Sequence, residues 1–362
     1  MKRVAFLVPY PFGLAPGPRF RFEQYLTALE ENGFSYRFFP FFDRNTYLSL
    51  YKNAGLWTKV RKTLLGYRLR LWQVFFVLPR YDFVFIYREA TPLGFPFVEW
   101  LLAKVFGKRL IYDFDDAIWI PVVSEENRLI TRLKAADKVP KICRWAHRVS
   151  VGNAYLAEHA RRFRGESATD TGVRYNPTTL DTENWHNRLK NHDEPPLTIG
   201  WTGSHSTLPY LAALVPVIRE LEEEFDFRFR VICNQKPDFD LRSLEFIPWN
   251  KATEIEDLLA LHIGLMPLPD DAWAKGKCGF KALQYMSLGI PPVAAPVGVN
   301  ASIIEDGKNG VLARTPEEWK IALKKLLADK KLRQKLGAAG RQTVVKRYSV
   351  QSNRENFLQL FE

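Results

Sequence analysis

The chain has 362 residues, 46% of them apolar and 25% charged, with a net charge of +12. That is length for about two domains of ordinary globular composition, and it excludes disordered, collagen-like and coiled-coil architectures. Three cysteines, Cys143, Cys233 and Cys278, exclude a disulfide-stapled fold and suit a reducing compartment. The best apolar run, residues 74–87, is broken by Pro79 and Arg80 before it reaches the roughly 18 residues of a membrane-spanning helix. The opening MKRVAFLVPYPFG has the outline of a signal peptide, but Pro9 and Pro11 cut its apolar run short, and it reads as a first buried strand.

The excess charge is local: residues 1–180 carry 28 Lys+Arg against 16 Asp+Glu, whereas 181–362 carry 24 of each. From Arg44 to Tyr81 there are eight basic residues and no acid, with Trp57, Val60, Leu64, Leu65, Leu69, Trp72, Phe75 and Phe76 interleaved at near-helical spacing. Two readings stay open: a helix packed on its sheet with a solvated basic rim, or an amphipathic segment that meets an anionic membrane surface. Nucleic acid is not expected as a partner, because no nucleic-acid-binding module accompanies the charge.

In chain order, residues 3–9 predict a strand, 11–18 a Pro/Gly-rich loop and 19–32 a helix closed by Gly33. Residues 81–87 and 109–114 are continuous apolar strands, separated by a helix that would bury Phe97, Trp100, Leu101 and Val105. A strand over 147–151 and a helix over 155–163 follow. Uniformly apolar strands between amphipathic helices mean a parallel sheet covered on both faces. A polar stretch, 176–196, reads as a linker. Beyond it strands at 197–201, 229–233, 244–247, 263–267 and 292–295 alternate with helices at 208–224, 254–261 and 281–288. The expected fold is α/β, two Rossmann-like doubly wound domains with a ligand cleft between them: residues 1–185, then 195–345, then a terminal helix in 346–362 that crosses back onto the first domain.

The strongest chemical signal is the loop Asp270, Asp271, Lys275, Gly276, Lys277, Gly279 between a strand and a helix starting near Phe280. Unpaired backbone N–H groups and the helix dipole make such a start an anion site, and Lys277 and Lys281 add charge for a diphosphate. A second cluster, Asp113-Phe114-Asp115-Asp116, crowds three carboxylates that repel unless solvated, protonated or paired. Helix capping is its plain structural alternative. No two of the six histidines stand at i, i+3 or i+4, so no zinc site is expected.

The segments YDFVFIYREATPLGFPFVEWLLA, RLIYDFDDAIW, VSVGNAYLAEHA, IGWTGSHSTLPYL and IGLMPLPDDAWAKGKCGFKALQYMSLGIPPVAAPVGVN, in this order, resemble the retaining glycosyltransferases of family 4, which have the GT-B fold. The resemblance implies transfer of a sugar from a nucleotide-diphosphate donor to a glycan or lipid-linked acceptor with retention. It implies no cofactor beyond the nucleotide sugar as co-substrate, no essential metal, and a place in the cytoplasm or on the inner face of its membrane. Gly13 and Gly17 would approach the donor phosphates, with Gly203, Ser204 and His205 in the matching loop of the second domain. Lys277, Gly279 and Phe280 would hold the diphosphate, and Trp249 would lie at the level of the base. Relatives carry two glutamates eight positions apart around sugar and ribose. Here those positions are Gly276 and Gln284, so Gln284 would meet the ribose and Asp270 or Asp271 the sugar. Asp115 and Asp116 occupy the place of a His-Asp pair, and with Lys281 they are the expected catalytic residues. Arg19, Arg21 and Glu89 would face the acceptor. Two alternatives remain: a non-catalytic nucleotide-sugar or glycan-binding protein, given the missing glutamates, and a metal-dependent transferase using Asp113 and Asp115.

Overall fold

A computed structural model describes residues 1–51, 55–120, 137–165 and 172–362. Lys52 of the basic segment lies outside the described residues. The chain forms two compact units, Met1–Pro177 with Arg354–Glu362, and Thr178–Asn353. Among the described residues no helix is long and apolar enough to cross a membrane.

The first unit is built on six parallel strands, β1 (Lys2–Val8), β2 (Phe34–Pro40), β3 (Phe83–Tyr87), β4 (Arg109–Phe114), β5 (Arg148–Val151) and β6 (Val173–Tyr175), in the order β2-β1-β3-β4-β5-β6. Every residue of β3 and the last five of β1 are buried, as two-sided coverage by helices requires. β2 and β6 escape sequence reasoning because they are the two edges: β2 buries only Phe39, and β6 is three residues long. The order reverses between β1 and β3, so the crevice beyond their carboxyl ends is where this sheet offers a binding site.

The second unit repeats the plan with β7 (Thr198–Gly203), β8 (Arg228–Cys233), β9 (Leu244–Pro248), β10 (Ile263–Met266), β11 (Pro292–Ala294) and β12 (Val311–Leu312), in the order β12-β11-β10-β7-β8-β9. Ile199, Trp201, Ile218, Val231, Leu265, Val293 and Leu323 belong to its core. Its reversal lies between β7 and β10, which singles out the loops following those two strands.

Three expectations change. The stretch 176–196 is not a free linker: Leu180 bridges to Ser349, Lys190 donates its N–H to the Leu288 carbonyl and His192 bonds Gly289, so from Thr178 onward it belongs to the second unit. The helix expected over 19–32 breaks at Phe22, whose ring packs among Phe6, Phe38, Phe85 and Tyr87 and leaves helices Pro16–Arg21 and Leu26–Glu31 on either side. The helix Phe97–Trp100 passes into a π turn, Leu101–Val105, which rotates the buried set to Val98, Leu101 and Leu102 and leaves Phe97 and Val105 outward.

Arg21, expected to face an acceptor, is instead a structural tie. It is 1% exposed; its Nε and Nη2 donate to the two Asp113 carboxylate oxygens at 3.1 and 2.5 Å, and its Nη1 donates to the Asn176 carbonyl. Ser150 adds a third donor to Asp113 at 2.5 Å. One guanidinium thus joins the helix Pro16–Arg21, β4 and the chain beyond β6. Removing one partner of a buried pair strands the other charge, so Arg21→Met should lower the urea-unfolding stability of this unit by about 3–5 kcal/mol. Adding Asp113→Leu should recover a large part of that loss.

In the second unit the buried His262 accepts the Thr198 N–H at its Nδ1, 3.2 Å away, and lies 6.0 Å from His192 ring to ring. Burial, with Lys190 and Arg333 nearby, lowers its pKa from 6.5 to about 3. The unfolded chain therefore takes up a proton that the folded one refuses. This contribution should be complete above pH 6.5 and fall towards pH 3, with a slope of up to about 1.4 kcal/mol per pH unit. A pH series of urea unfolding curves should show that slope flattened in His262→Gln.

Candidate functional site

In the first unit the register sets Tyr87 beside Asp113 and Asp113 beside Ser150, so the chain leaves β3 and β4 side by side, next to the reversal between β1 and β3. Arg88, the first residue after β3, has φ of 61°, the left-handed region that a side chain rarely adopts. Its N–H donates to the Asp113 carbonyl at 2.8 Å, and its own carbonyl accepts the Tyr112 hydroxyl at 2.9 Å. That backbone turn delivers the guanidinium to Asp115, 3.0 Å from Nε and 2.7 Å from Nη2, and to Asp116 through Nη2. Tyr87 donates its hydroxyl to Asp115 at 3.0 Å.

The crowding of Asp113, Asp115 and Asp116 is therefore resolved by pairing: Arg21 holds the first, Arg88 the other two. Burial would raise the Asp115 pKa, but the charges of Arg88 and Arg21 and the hydrogen bonds from Arg88 and Tyr87 hold its carboxyl below the usual range. Burial drives the Tyr87 phenol well above its ordinary pKa, so it stays a donor. Asp115 and Asp116 keep 15% and 17% of their side chains exposed. Asp115 is therefore an ionised carboxylate, and both side chains are within reach of a ligand.

The loop after β1 comes to this cluster. A side chain at Gly17 would place its Cβ 2.2 Å from the Tyr87 hydroxyl and 3.7 Å from Asp115 Oδ2, so only glycine lets the backbone pass here. Gly13, at φ of 72°, donates its N–H to Glu23 at 3.1 Å. Arg19 is half-buried with its guanidinium over the Phe20 ring. Glu89 pairs with the buried Lys138 at 3.1 Å. The Asp113/Asp115 metal reading fails on its donor set, because Arg21 occupies both Asp113 oxygens in a fully buried pair.

In the second unit β7 ends at Gly203. Ser204 and His205 follow it, exposed, and His205 is fixed by Asn234 beyond β8: its N–H donates to Asn234 Oδ1 at 2.8 Å, and Asn234 Nδ2 donates to His205 Nδ1 at 3.0 Å. The helix Phe280–Ser287 begins as expected, with Gly279 at φ of 70° and no side chain capping its first turn. A helix start of this kind, with its dipole pointing outward, favours an anion. Lys281 stands one residue into the helix, its Nζ 5.5 Å from the centre of the Trp201 ring, and Lys277 lies 4.8 Å over Trp273. The loops after β7 and β10 thus bring a glycine turn, a helix start and two lysines together.

Two assignments shift. Asp271 caps the short helix Ala272–Lys275, accepting the Ala274 N–H at 2.7 Å, and Asp270 pairs with Lys275 at 3.0 Å, so both already have partners within this loop. A carboxylate that sequence spacing missed takes the neighbourhood of Gln284. Buried Glu254, at the start of the helix Glu254–Leu259, accepts from Gln284 Nε2 at 3.5 Å and from Trp249 Nε1 at 3.4 Å. Spacing along one helix could not show it, because Glu254 arrives from a different one. Tyr87 and Arg88 were also missed; a left-handed arginine leaves no sequence signal.

Residues 243–343, which include this loop and helix, match the family model of glycosyl transferases group 1. No curated protein matches the chain. The chain is similar in structure to sucrose-phosphate synthase from Thermosynechococcus elongatus, with a TM-score of 0.72 at 13% identity over 100% of this chain and 98% of that one. It is similar to a glycosyltransferase from Rickettsia africae, with a TM-score of 0.68 at 12% identity over 99% and 98%. Anabaena HepE in complex with UDP-glucose gives a TM-score of 0.65 at 14% identity over 100% and 99%. At such identities the likeness is one of fold. The loop and helix of the second unit thus lie in a segment that matches glycosyl transferases group 1, and the chain as a whole is similar in fold to these GT-B structures.

Proposed function

We propose that this chain transfers a glycosyl group from a nucleoside diphosphate sugar to a hydroxyl of a glycan or lipid-linked acceptor, with retention of configuration and without an essential metal. The observation that carries this reading is the uncapped start of the helix Phe280–Ser287 with Lys277 and Lys281 beside it. It offers dipole, N–H groups and two cations to a diphosphate, the charge that a divalent ion would otherwise supply. The HepE complex with UDP-glucose supports a nucleotide sugar as the donor class. Gln284 and Glu254 would present a carboxamide and a carboxylate to ribose hydroxyls, and Trp249 would flank the base.

In such a transfer the bond from the anomeric carbon to the diphosphate oxygen breaks, and the acceptor oxygen bonds the same face. The acceptor proton passes to the departing phosphate oxygen. Lys281 and the helix start neutralise that leaving group. Asp115, ionised and paired, is a poor base, so it stabilises the developing positive charge on the sugar and, with Asp116, orients hydroxyls. Gly13, Gly17, Gly203, Ser204 and His205 let backbone and loop approach the donor, while Arg19 and Glu89 bound the acceptor side. Three buried cysteines, none of them in a disulfide, suit the reducing conditions of the cytoplasm, where nucleotide sugars would be used.

A nucleoside diphosphate at about 100 times its dissociation constant should stabilise the second unit by about 2.7 kcal/mol in a thermal-shift panel, equally with EDTA and with Mg²⁺. Lys281→Ala should weaken that ligand about tenfold or more, on the scale of one charge-assisted contact. Stabilisation that needs Mg²⁺ would overturn the metal-free reading. Asp115→Asn should leave the nucleotide shift unchanged and lower transfer by about a hundredfold. Undiminished transfer would remove Asp115 from the chemistry, and donor binding with no transfer to any acceptor would favour a binding protein.

A further inference from the structure

The helix Leu56–Phe76 is inside out. An ordinary surface helix buries its apolar stripe and shows its charges to water. This one turns Gly66, Arg70, Gln73 and Val74 inward, while Trp57, Leu64, Leu69, Trp72, Phe75 and Phe76 are exposed, Trp57 to 86% and Phe76 to 61%.

The orientation is fixed from within. Arg70, expected to sit on a solvated rim, is 1% exposed and donates to the carbonyls of Ala90 and Phe39 and to Gln73, at 3.1, 2.9 and 2.9 Å. Tyr67 exchanges hydrogen bonds with Leu93, donating to its carbonyl at 2.6 Å and accepting its N–H at 2.9 Å. Gly66 lies so close to Phe41 that a Cβ would stand 2.8 Å from the ring. Rolling the helix to bury its leucines would pull a hydrogen-bonded guanidinium out of its partners and drive side chains into Phe41. The apolar face points outward by construction, and through the Phe75–Phe106 ring contact, 5.9 Å between centres, it runs on towards exposed Val105 and Phe97.

We propose that this face docks the chain onto an anionic lipid bilayer. The exposed cations Lys59, Arg61 and Arg68 sit among the apolar side chains, and residues 44–81 contain no acid. A second copy of the same face would set its cations against Lys59, Arg61 and Arg68, with no carboxylate on the helix to answer them, as a two-fold contact requires. An anionic bilayer answers both features: its headgroups pair with the cations, and its acyl boundary takes the leucines, tryptophans and phenylalanines. Because Tyr67 and Arg70 tie the helix to residues 90–93, just beyond Arg88 and Glu89, docking would bring lipid-borne acceptors to the edge that carries Asp115. That last consequence rests on the transferase reading; the docking itself does not.

The test uses the full chain in flotation with phosphatidylcholine vesicles, with and without phosphatidylglycerol, beside sedimentation equilibrium without lipid. Binding should require phosphatidylglycerol and weaken with salt. It should fall at least about tenfold in Leu64→Ser/Trp72→Ser/Phe75→Ser, and likewise in Lys59→Gln/Arg61→Gln/Arg68→Gln, on the scale of lost apolar burial and surface charge. All six side chains are exposed, and unchanged circular dichroism and melting would show that the variants fold. No binding by the parent, undiminished binding by either folded variant, or lipid-free self-association abolished by the serine variant would each overturn the proposal. Since the readout is lipid binding, loss of the transferase reading would leave it standing, and its failure would leave donor binding and transfer untouched.

Discussion

One buried ion pair organises the first unit. Arg21 reaches Asp113 from a helix far away in sequence, takes both of its oxygens and adds the Asn176 carbonyl. Without that guanidinium, a carboxylate would sit at zero exposure at the end of β4, next to two more within three residues. With it, the three carboxylates separate into two groups, one consumed inside and two kept at the surface for Arg88. The loop after β1, ending in the helix that carries Arg21, is held where Gly17 grazes Tyr87.

The two units are chemically opposite at their reversal points. The first gathers carboxylates paired with Arg88, among them Asp115, whose basicity that guanidinium suppresses, in a turn that forces an arginine into a left-handed backbone. Strain of that kind persists where surrounding bonds over-determine it, here the Asp113 carbonyl and the Tyr112 hydroxyl. The second unit gathers donors and cations: an uncapped helix start, two lysines and a loop pinned through His205 and Asn234.

The helix Leu56–Phe76 shows how polar burial can dictate apolar exposure. Ordinarily apolar surface decides which side of a helix turns inward. Here a fully bonded arginine and a glycine against an aromatic ring decide it, and the leucines and tryptophans are left outside. A basic segment with no acid then becomes a surface of defined composition rather than a diffuse field.

Much was legible in the sequence. Continuous apolar strands between amphipathic helices determined two doubly wound sheets, because a parallel strand must be apolar on both faces. The Gly279 turn and the helix at Phe280 were legible because glycine and helix starts have local causes. What depended on distant partners was not. The edge strands β2 and β6 carry too little apolar pattern to stand out. Arg21 and Arg70 look like surface charges until the fold closes over them. Glu254 reaches Gln284 from another helix, and Arg88 turns left-handed only because β4 stands beside β3. The sequence by itself determined which elements form, since period, caps and turns are local. The tertiary structure decided which charges are paired, which are offered to a ligand and which face of a helix meets the outside, because those outcomes are set by groups tens to hundreds of residues apart.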